Sequence, residues 1–222
     1  MLLAIDTATH YAGLALWAES QVLAEETWYS SMTHSVELVP RIQRMLTTQR
    51  VAVNSLAAVA VSLGPGSFTG LRIGLAAAKG LVLPYRLPLI GIPTLDAVAY
   101  PFQACDQPVW AVIQAGRGRM GVACYAHLDG GWRQTLAPRL ATLESLCSMI
   151  RLPATLVGEI DRQLAGQLHE RLGPSVTIPS PALRMRRAAC LAELAAKRLV
   201  AHDLDDVATL APLYLQTPEG DV

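Results

Sequence analysis

The chain has 222 residues, of which 52 % are hydrophobic and 16 % charged, and its 18 basic residues balance 18 acidic ones. Zero net charge argues against a protein whose main task is gripping nucleic acid, since phosphate neutralisation drives that binding, and for a role beside an RNA-handling partner. So apolar a composition implies a surface that a partner covers in part.

The chain opens with three strand-like segments, residues 2–5, 11–17 and 22–28, separated by short polar turns and read as an antiparallel meander. A helix follows over 33–47 with Thr33 as N-cap, and Leu38, Val39, Ile42, Met45 and Leu46 give it an apolar face. Pro40 removes a backbone hydrogen bond about two turns in, so a kink is expected there. Residues 55–63 are almost all apolar, as suits a strand covered on both faces. A glycine-rich loop then leads into a helix over 69–82, a strand over 87–92 and a short helix over 94–102. After Asp106 the pattern restarts, with strands at 109–114, 122–128 and 155–158 and a turn at Asp129-Gly130-Gly131. Helices are expected at 143–151, 161–172 and 183–201, and the tail after Pro218 is expected to be loose. Strands first and strand–helix alternation after, on each side of residues 103–108, suggest two related α/β lobes, 1–105 and 106–222.

Asp6-Thr7-Ala8-Thr9 falls on the first turn, where a carboxylate and hydroxyls can hold a phosphate or a magnesium-bound water, or serve the turn itself. Gly64-Pro65-Gly66-Ser67-Phe68-Thr69-Gly70 joins a buried strand to a helix N-terminus, which suits an anion. It lacks the GK[ST] ending of a P-loop, and a tight turn capped by Ser67 or Thr69 explains it equally. Gly70, Gly74 and Ala78 then recur every four residues. Glycine in a helix costs roughly 1 kcal/mol relative to alanine, so close approach of another backbone is expected to offset it. That backbone belongs either to the helix at 33–47 or to another protein.

His34 and Glu37 stand one turn apart without HExxH or HxxxH, and the four cysteines, Cys105, Cys124, Cys147 and Cys190, lie far apart without CxxC. No metal site is therefore expected, nor any catalytic residue, since neither a Ser–His–Asp order nor a GxSxG elbow is present. Two basic stretches, Gly116-Arg117-Gly118-Arg119 and Arg184-Met185-Arg186-Arg187, read as solvated surface or as phosphate contacts, the second opening the last helix. The first residues lack a basic n-region, and no uncharged apolar run reaches the ~20 residues of a membrane span, so a cytoplasmic protein is expected.

Leu3-Ala4-Ile5-Asp6-Thr7-Ala8-Thr9, Gly64-Pro65-Gly66-Ser67-Phe68-Thr69-Gly70-Leu71-Arg72-Ile73-Gly74 and Ala78-Lys79-Gly80-Leu81 together resemble the TsaB (YeaZ) family. Pro88 to Leu95 and a closing strand at Pro212-Leu213-Tyr214-Leu215 fit the same template, specific over 1–100 and thin beyond. The resemblance implies a two-lobed sugar-kinase/Hsp70/actin-like (ASKHA) fold, with a mixed sheet flanked by helices in each lobe. It further implies a non-catalytic scaffold for TsaD, the subunit that transfers threonylcarbamoyl to tRNA adenosine, with the ATPase TsaE as a further partner. TsaD carries a histidine-rich metal motif, and residues 94–105 here hold no histidine. Asp6, Thr7, Thr9, Gly64, Gly66 and Ser67 would be the remnant of a nucleotide site, with ATP and metal held by the partners and no cofactor required here. His34, Leu38, Ile42, Met45, Gly70, Leu71, Gly74 and Ala78 would form the TsaD interface and, in its absence, a homodimer, with tRNA reached through the complex. At 114–125 the acidic residues of the family pattern are missing, so no role of theirs transfers. The competing readings are an ATP-dependent phosphotransferase of the same fold and a glycoprotease-like peptidase of the M22 type.

Overall fold

A computed structural model describes residues 1–31, 33–116 and 118–215. The chain divides into two compact units, Met1–Ala97 with Arg187–Leu213, and Val98–Arg186 with Tyr214 and Leu215. The boundary expected after residue 105 thus lies at 97, and the segment 187–213, assigned above to the second lobe, packs on the first.

In the first unit β1 (Leu2–Asp6), β2 (Tyr11–Ala18) and β3 (Gln21–Tyr29) form the meander. They are followed by α1 (His34–Thr48), β4 (Ala58–Gly64), α2 (Phe68–Val82), β5 (Leu89–Pro93) and the start of α3 (Thr94–Ala99). The five-stranded sheet has the order β3-β2-β1-β4-β5, with β4 and β5 parallel to the neighbours that join them to β1. Strand alternation sorts the side chains. Leu3, Ile5, Leu14, Leu16, Val59 and Val61 pack with Leu38, Ile42, Met45 and Leu46 of α1 and Leu75, Ala78 and Val82 of α2. Leu2, Ala4, Ala58, Ala60, Ile90 and Ile92 face Leu191, Ala192 and Ala195 of α7 (Ala188–Val200). Alanines on both sides of that second layer let the helix lie close to the sheet. Apolar pairing on both faces is what makes β1 and β4 uniformly buried.

Ion pairs and side-chain bonds tie the helices to the edge strand. Glu26 of β3 pairs with Arg41 and Arg44 of α1, and Trp28 Nε1 donates to Glu37 Oε2 at 3.1 Å. Hydrogen bonding from Ser30, and also from Thr33 and Trp28, holds the Glu37 carboxyl below the usual carboxylate range. On the opposite face Glu25 pairs with Arg187 and accepts the Ala189 amide at 3.0 Å, which caps the first turn of α7 from another element.

The second unit contains β6 (Val109–Gln114), β7 (Met120–Leu128), β8 (Gly131–Ala141), α4 (Leu143–Met149), β9 (Ala154–Gly158), α5 (Arg162–Leu172), β10 (Val176–Thr177) and α6 (Pro181–Arg184). Its sheet order is β10-β9-β6-β7-β8, an antiparallel meander followed by parallel additions on the other side. Read from the meander end, this is the connectivity of the first sheet.

Several expectations are corrected. The strand β8 was not foreseen, and neither was the short β10. The long helix expected over 183–201 is two helices, because Met185 and Arg187 are extended and Arg186 is drawn into an ion pair with Glu159 at 3.2 Å. Pro40 lies inside α1, and the helix continues past it to Thr48. Residues 212–215 form no strand; one backbone bond, Leu213 N to Leu63 O at 2.7 Å, brings them against β4. The tail after Pro218 lies outside the described residues.

The segment before Leu213 is stitched to the free edge of the first sheet. Asp205 N donates to Leu89 O at 3.2 Å, and Asp205 Oδ2 accepts from Gly91 N at 2.7 Å and Arg198 at 3.2 Å. Replacing Asp205 by Ala leaves a strand amide and a guanidinium short of an acceptor. The expected outcome in urea unfolding is a loss of about 1–3 kcal/mol, with Asp205→Asn recovering part of it.

Candidate functional site

The β1–β2 turn and the glycine-rich loop meet at one end of the first sheet. Asp6, Thr7, Thr9, Ser62 and Thr94 are buried there, with Asp6 only 2 % exposed. Ser67 is the N-cap of α2 and accepts from Gly70 N at 3.2 Å, which decides between the two caps considered. Asp6 Oδ1 accepts from Ala8 N at 3.0 Å, an Asx-type bond that shapes the turn. Thr7 N donates to Ser62 Oγ at 3.4 Å and Thr7 Oγ1 donates to Gly70 O at 2.7 Å. Ser67 N donates to Ala8 O at 2.6 Å, and Gly64 N donates to Thr94 Oγ1 at 3.1 Å.

Gly70 and Gly74 of α2 have their partner here. A Cβ at Gly70 would overlap Thr7 O, and one at Gly74 would overlap Thr7 Oγ1. The close approach is therefore between α2 and the β1–β2 turn of the same chain, and neither α1 nor a second protein is needed to explain the spacing. Gly66 is pressed against Ala8 O in the same way, and Gly64, at φ 111°, leaves room for Leu213 O, 2.6 Å from where its Cβ would stand.

The structure brings Asp6, Thr7, Thr9, Gly64, Gly66 and Ser67 together, as the sequence implied for a phosphate site. What it does with their donors differs. The amides of Thr7, Ala8, Gly64 and Ser67 and the hydroxyl of Thr7 all bond within the chain. A phosphate cradle needs amides aimed at the anion. In this conformation these groups clamp the turn to the helix instead, and they do not fit a nucleotide phosphate.

The interface set is corrected more sharply. His34, Leu38, Ile42, Met45, Gly70, Leu71, Gly74 and Ala78 are all buried, so none presents a side chain to a partner. The outward residues of these two neighbouring helices are others. Val36 and Val39 on α1 are 68 % and 57 % exposed, and Phe68, at the start of α2, is 54 % exposed. Leu83, just beyond α2, is 63 % exposed. Pro40, Gln43 and Ala76 are exposed beside them, and the Arg72 guanidinium lies 3.8 Å over the Phe68 ring.

Among the described residues no group of His, Cys, Asp and Glu is placed to hold a metal ion, and no helix is long and apolar enough to cross a membrane. The four cysteines are free, and burial pushes the Cys190 thiol up to about 11, which leaves it protonated at neutral pH. Of the basic stretches, Arg117 lies outside the described residues, and Arg184 bonds to Pro179 O and Gly158 O. Arg187 is committed to Glu25.

Comparison with known proteins sets this geometry in context. A family model described as TsaD, tRNA N6-adenosine threonylcarbamoyltransferase, matches residues 28–219. The tRNA threonylcarbamoyladenosine biosynthesis protein TsaB of Bacillus subtilis is 30 % identical over 99 % of this chain and 96 % of its own length. The chain belongs to the TsaB (YeaZ) family. YeaZ from Pseudomonas aeruginosa superposes on this TsaB-family chain with a TM-score of 0.76 at 25 % identity, covering 96 % of this chain and 99 % of that one. An activator of 2-hydroxyisocaproyl-CoA dehydratase from Clostridium difficile, solved with ADPNP, aligns over 90 % of this chain and 96 % of its own with a TM-score of 0.51 at 10 % identity. The fold is accordingly of the sugar-kinase/Hsp70/actin-like class, with a mixed sheet and flanking helices in each unit.

The glycines of α2 separate two effects in this TsaB-family chain. Gly74→Ala forces Thr7 to move and is expected to lower the unfolding free energy by about 1–3 kcal/mol, with a Thr7→Ala background relieving the clash. Gly80 has open space around it among the described residues, so Gly80→Ala is expected to raise stability by about 0.5–1 kcal/mol. Urea titration of both variants checks the opposite signs.

Proposed function

We propose that this chain works in tRNA threonylcarbamoyladenosine biosynthesis as a non-catalytic scaffold subunit that docks on the transferase TsaD. The observation that carries this reading is the inward use of the glycine-loop donors. Groups that would grip a nucleotide in a working kinase-like site here lock α2 against the β1–β2 turn. The name borne by the Bacillus subtilis relative supports the process, and the full-length alignment supports carrying it over.

The docking surface assigned by this reading is the outward side of α1 and α2, centred on Val36, Val39, Phe68 and Leu83. Exposed aliphatic and aromatic residues on adjacent, well-anchored helices are what a protein interface buries at its centre. In the absence of TsaD a second copy of the chain covers the same apolar surface. The chain itself needs no cofactor or metal, and ATP and metal belong to TsaD and the ATPase TsaE. It acts in the cytoplasm, and tRNA is reached through the complex.

Light-scattering chromatography of the chain mixed with TsaD of the same organism tests the proposal. A one-to-one species is expected, and Val39→Arg is expected to weaken it by at least tenfold, since a desolvated charge at the centre of an interface costs several kcal/mol. Loss of association with wild-type protein would sink the scaffold reading. Heat of binding with ATP and magnesium alone, measured by calorimetry, would favour the phosphotransferase instead.

A further inference from the structure

β5 is an outer strand of the first sheet and pairs with β4 on one side. Its middle, Leu89-Ile90-Gly91-Ile92, is uncharged and largely apolar, and an open edge of that composition is a template for another strand. No strand of the described chain fills it. On that side lies one isolated antiparallel bridge, Leu89 to Asp205.

Two charged side chains stand where a sixth strand would lie. Asp205 N donates to Leu89 O at 3.2 Å, and Asp205 Oδ2 accepts from Gly91 N at 2.7 Å. Arg198 of α7 donates to Gly91 O at 2.6 Å. Three successive groups on the outer side of β5, Leu89 O, Gly91 N and Gly91 O, thereby find partners without a neighbouring strand. The arrangement is braced from behind. Arg198 Nη1 also reaches Asp205 Oδ2 at 3.2 Å, and its Nε and Nη2 bond to the two carboxylate oxygens of Asp203 at 2.7 and 3.1 Å. Pro88 and Pro93 have no N–H, so they bracket the stretch with positions that cannot donate to a ladder.

We propose that the clasp of Arg198 and Asp205 is an edge guard, which withholds β5 from pairing with the β5 of a second copy of this chain. An added strand would bond to the same three backbone groups, so clasp and strand exclude each other. A second copy is the occupant because two β5 edges offer each other the same short, uncharged segment. Val200 and Leu204, beside the clasp in sequence, are 82 % and 44 % exposed and would add apolar area to such a contact. The guard is separate from the outward surface of α1 and α2 and does not rest on the docking reading.

Light scattering over a concentration series tests it, with Val39→Arg present throughout so that association through α1 and α2 does not interfere. Arg198→Ala and Asp205→Ala, each checked for folding by circular dichroism, are expected to self-associate reversibly and at least about tenfold more tightly than the Val39→Arg parent. Hydrogen exchange locates the contact. The Gly91 amide of Asp205→Ala is expected to exchange fast in dilute solution and to regain protection as concentration rises. Folded variants that stay as monomeric as the parent overturn the guard, as does association that leaves Gly91 exchange unchanged. If neither variant folds, the wild-type chain decides. Its Gly91 amide is expected to be protected at every concentration, and exchange at the rate of an unstructured chain overturns the proposal.

Discussion

The contact between Thr7 and the glycine face of α2 is the constraint around which the first unit is arranged. Helix and strand turn meet so closely that no Cβ fits at position 70 or 74, and Thr7 Oγ1 bridges the gap to Gly70 O. Two helical glycines cost about 2 kcal/mol relative to alanine, and burial of Thr7 with its hydrogen bonds is what offsets that cost. With α2 held there, its remaining apolar side chains fall onto β1 and β4, and α1 can pack beside it. The N-termini of both helices then flank the β1–β2 turn. That is a favourable electrostatic setting for the buried Asp6.

The same plan is used twice. Both sheets run as a meander extended by parallel strands, and β4 and β9 each end in a glycine with positive φ, 111° at Gly64 and 100° at Gly158. In each case a capped helix follows, with Ser67 capping α2 and Asp161 capping α5. The residues after the glycine then diverge. In the first unit they are Pro65 and Gly66, which let the loop press on Ala8. In the second Glu159 follows, bonds to Gln114 N and Arg186, and turns the corresponding corner into an ion-paired anchor. One backbone solution thus serves a tight helix–turn clamp in one copy and a salt-bridged junction in the other.

The meander, both central helices and β6 were legible because their apolar spacing is regular and turn residues bound them. β8 was missed for a physical reason. It lies at a sheet edge, carries Pro138 and Arg139, and needs register shifts against β7, so its alternation is broken where the strand is. The split between α6 and α7 was invisible because a tertiary ion pair at Arg186, rather than any local breaker, ends the helix. The residues expected at an interface fall on the stripe that the fold buries. Helical periodicity marks the stripe that is buried, and Leu38, Ile42 and Met45 are that stripe, facing the sheet rather than a partner. Val36 stands off the pattern, whereas Val39, counted with it, is 57 % exposed, so periodicity alone does not separate the buried stripe from an apolar outer surface. The four-residue glycine spacing was read correctly as close approach, but a sequence does not say whether a helix or a strand turn approaches.

The first unit is closed by chain that comes last. The helix α7 covers one whole face of its sheet, Asp205 bonds to the edge strand β5 and Leu213 to the end of β4, yet all of these follow residues 98–186 in the sequence. During synthesis residues 98–186 emerge as an uninterrupted stretch with their own core, while the earlier 97 residues still expose Leu2, Ala4, Ile90 and Ile92. Order of translation is therefore not order of completion. The later-made unit can fold first, and the amino-terminal sheet stays an open, sticky intermediate until residues 187–213 have been made.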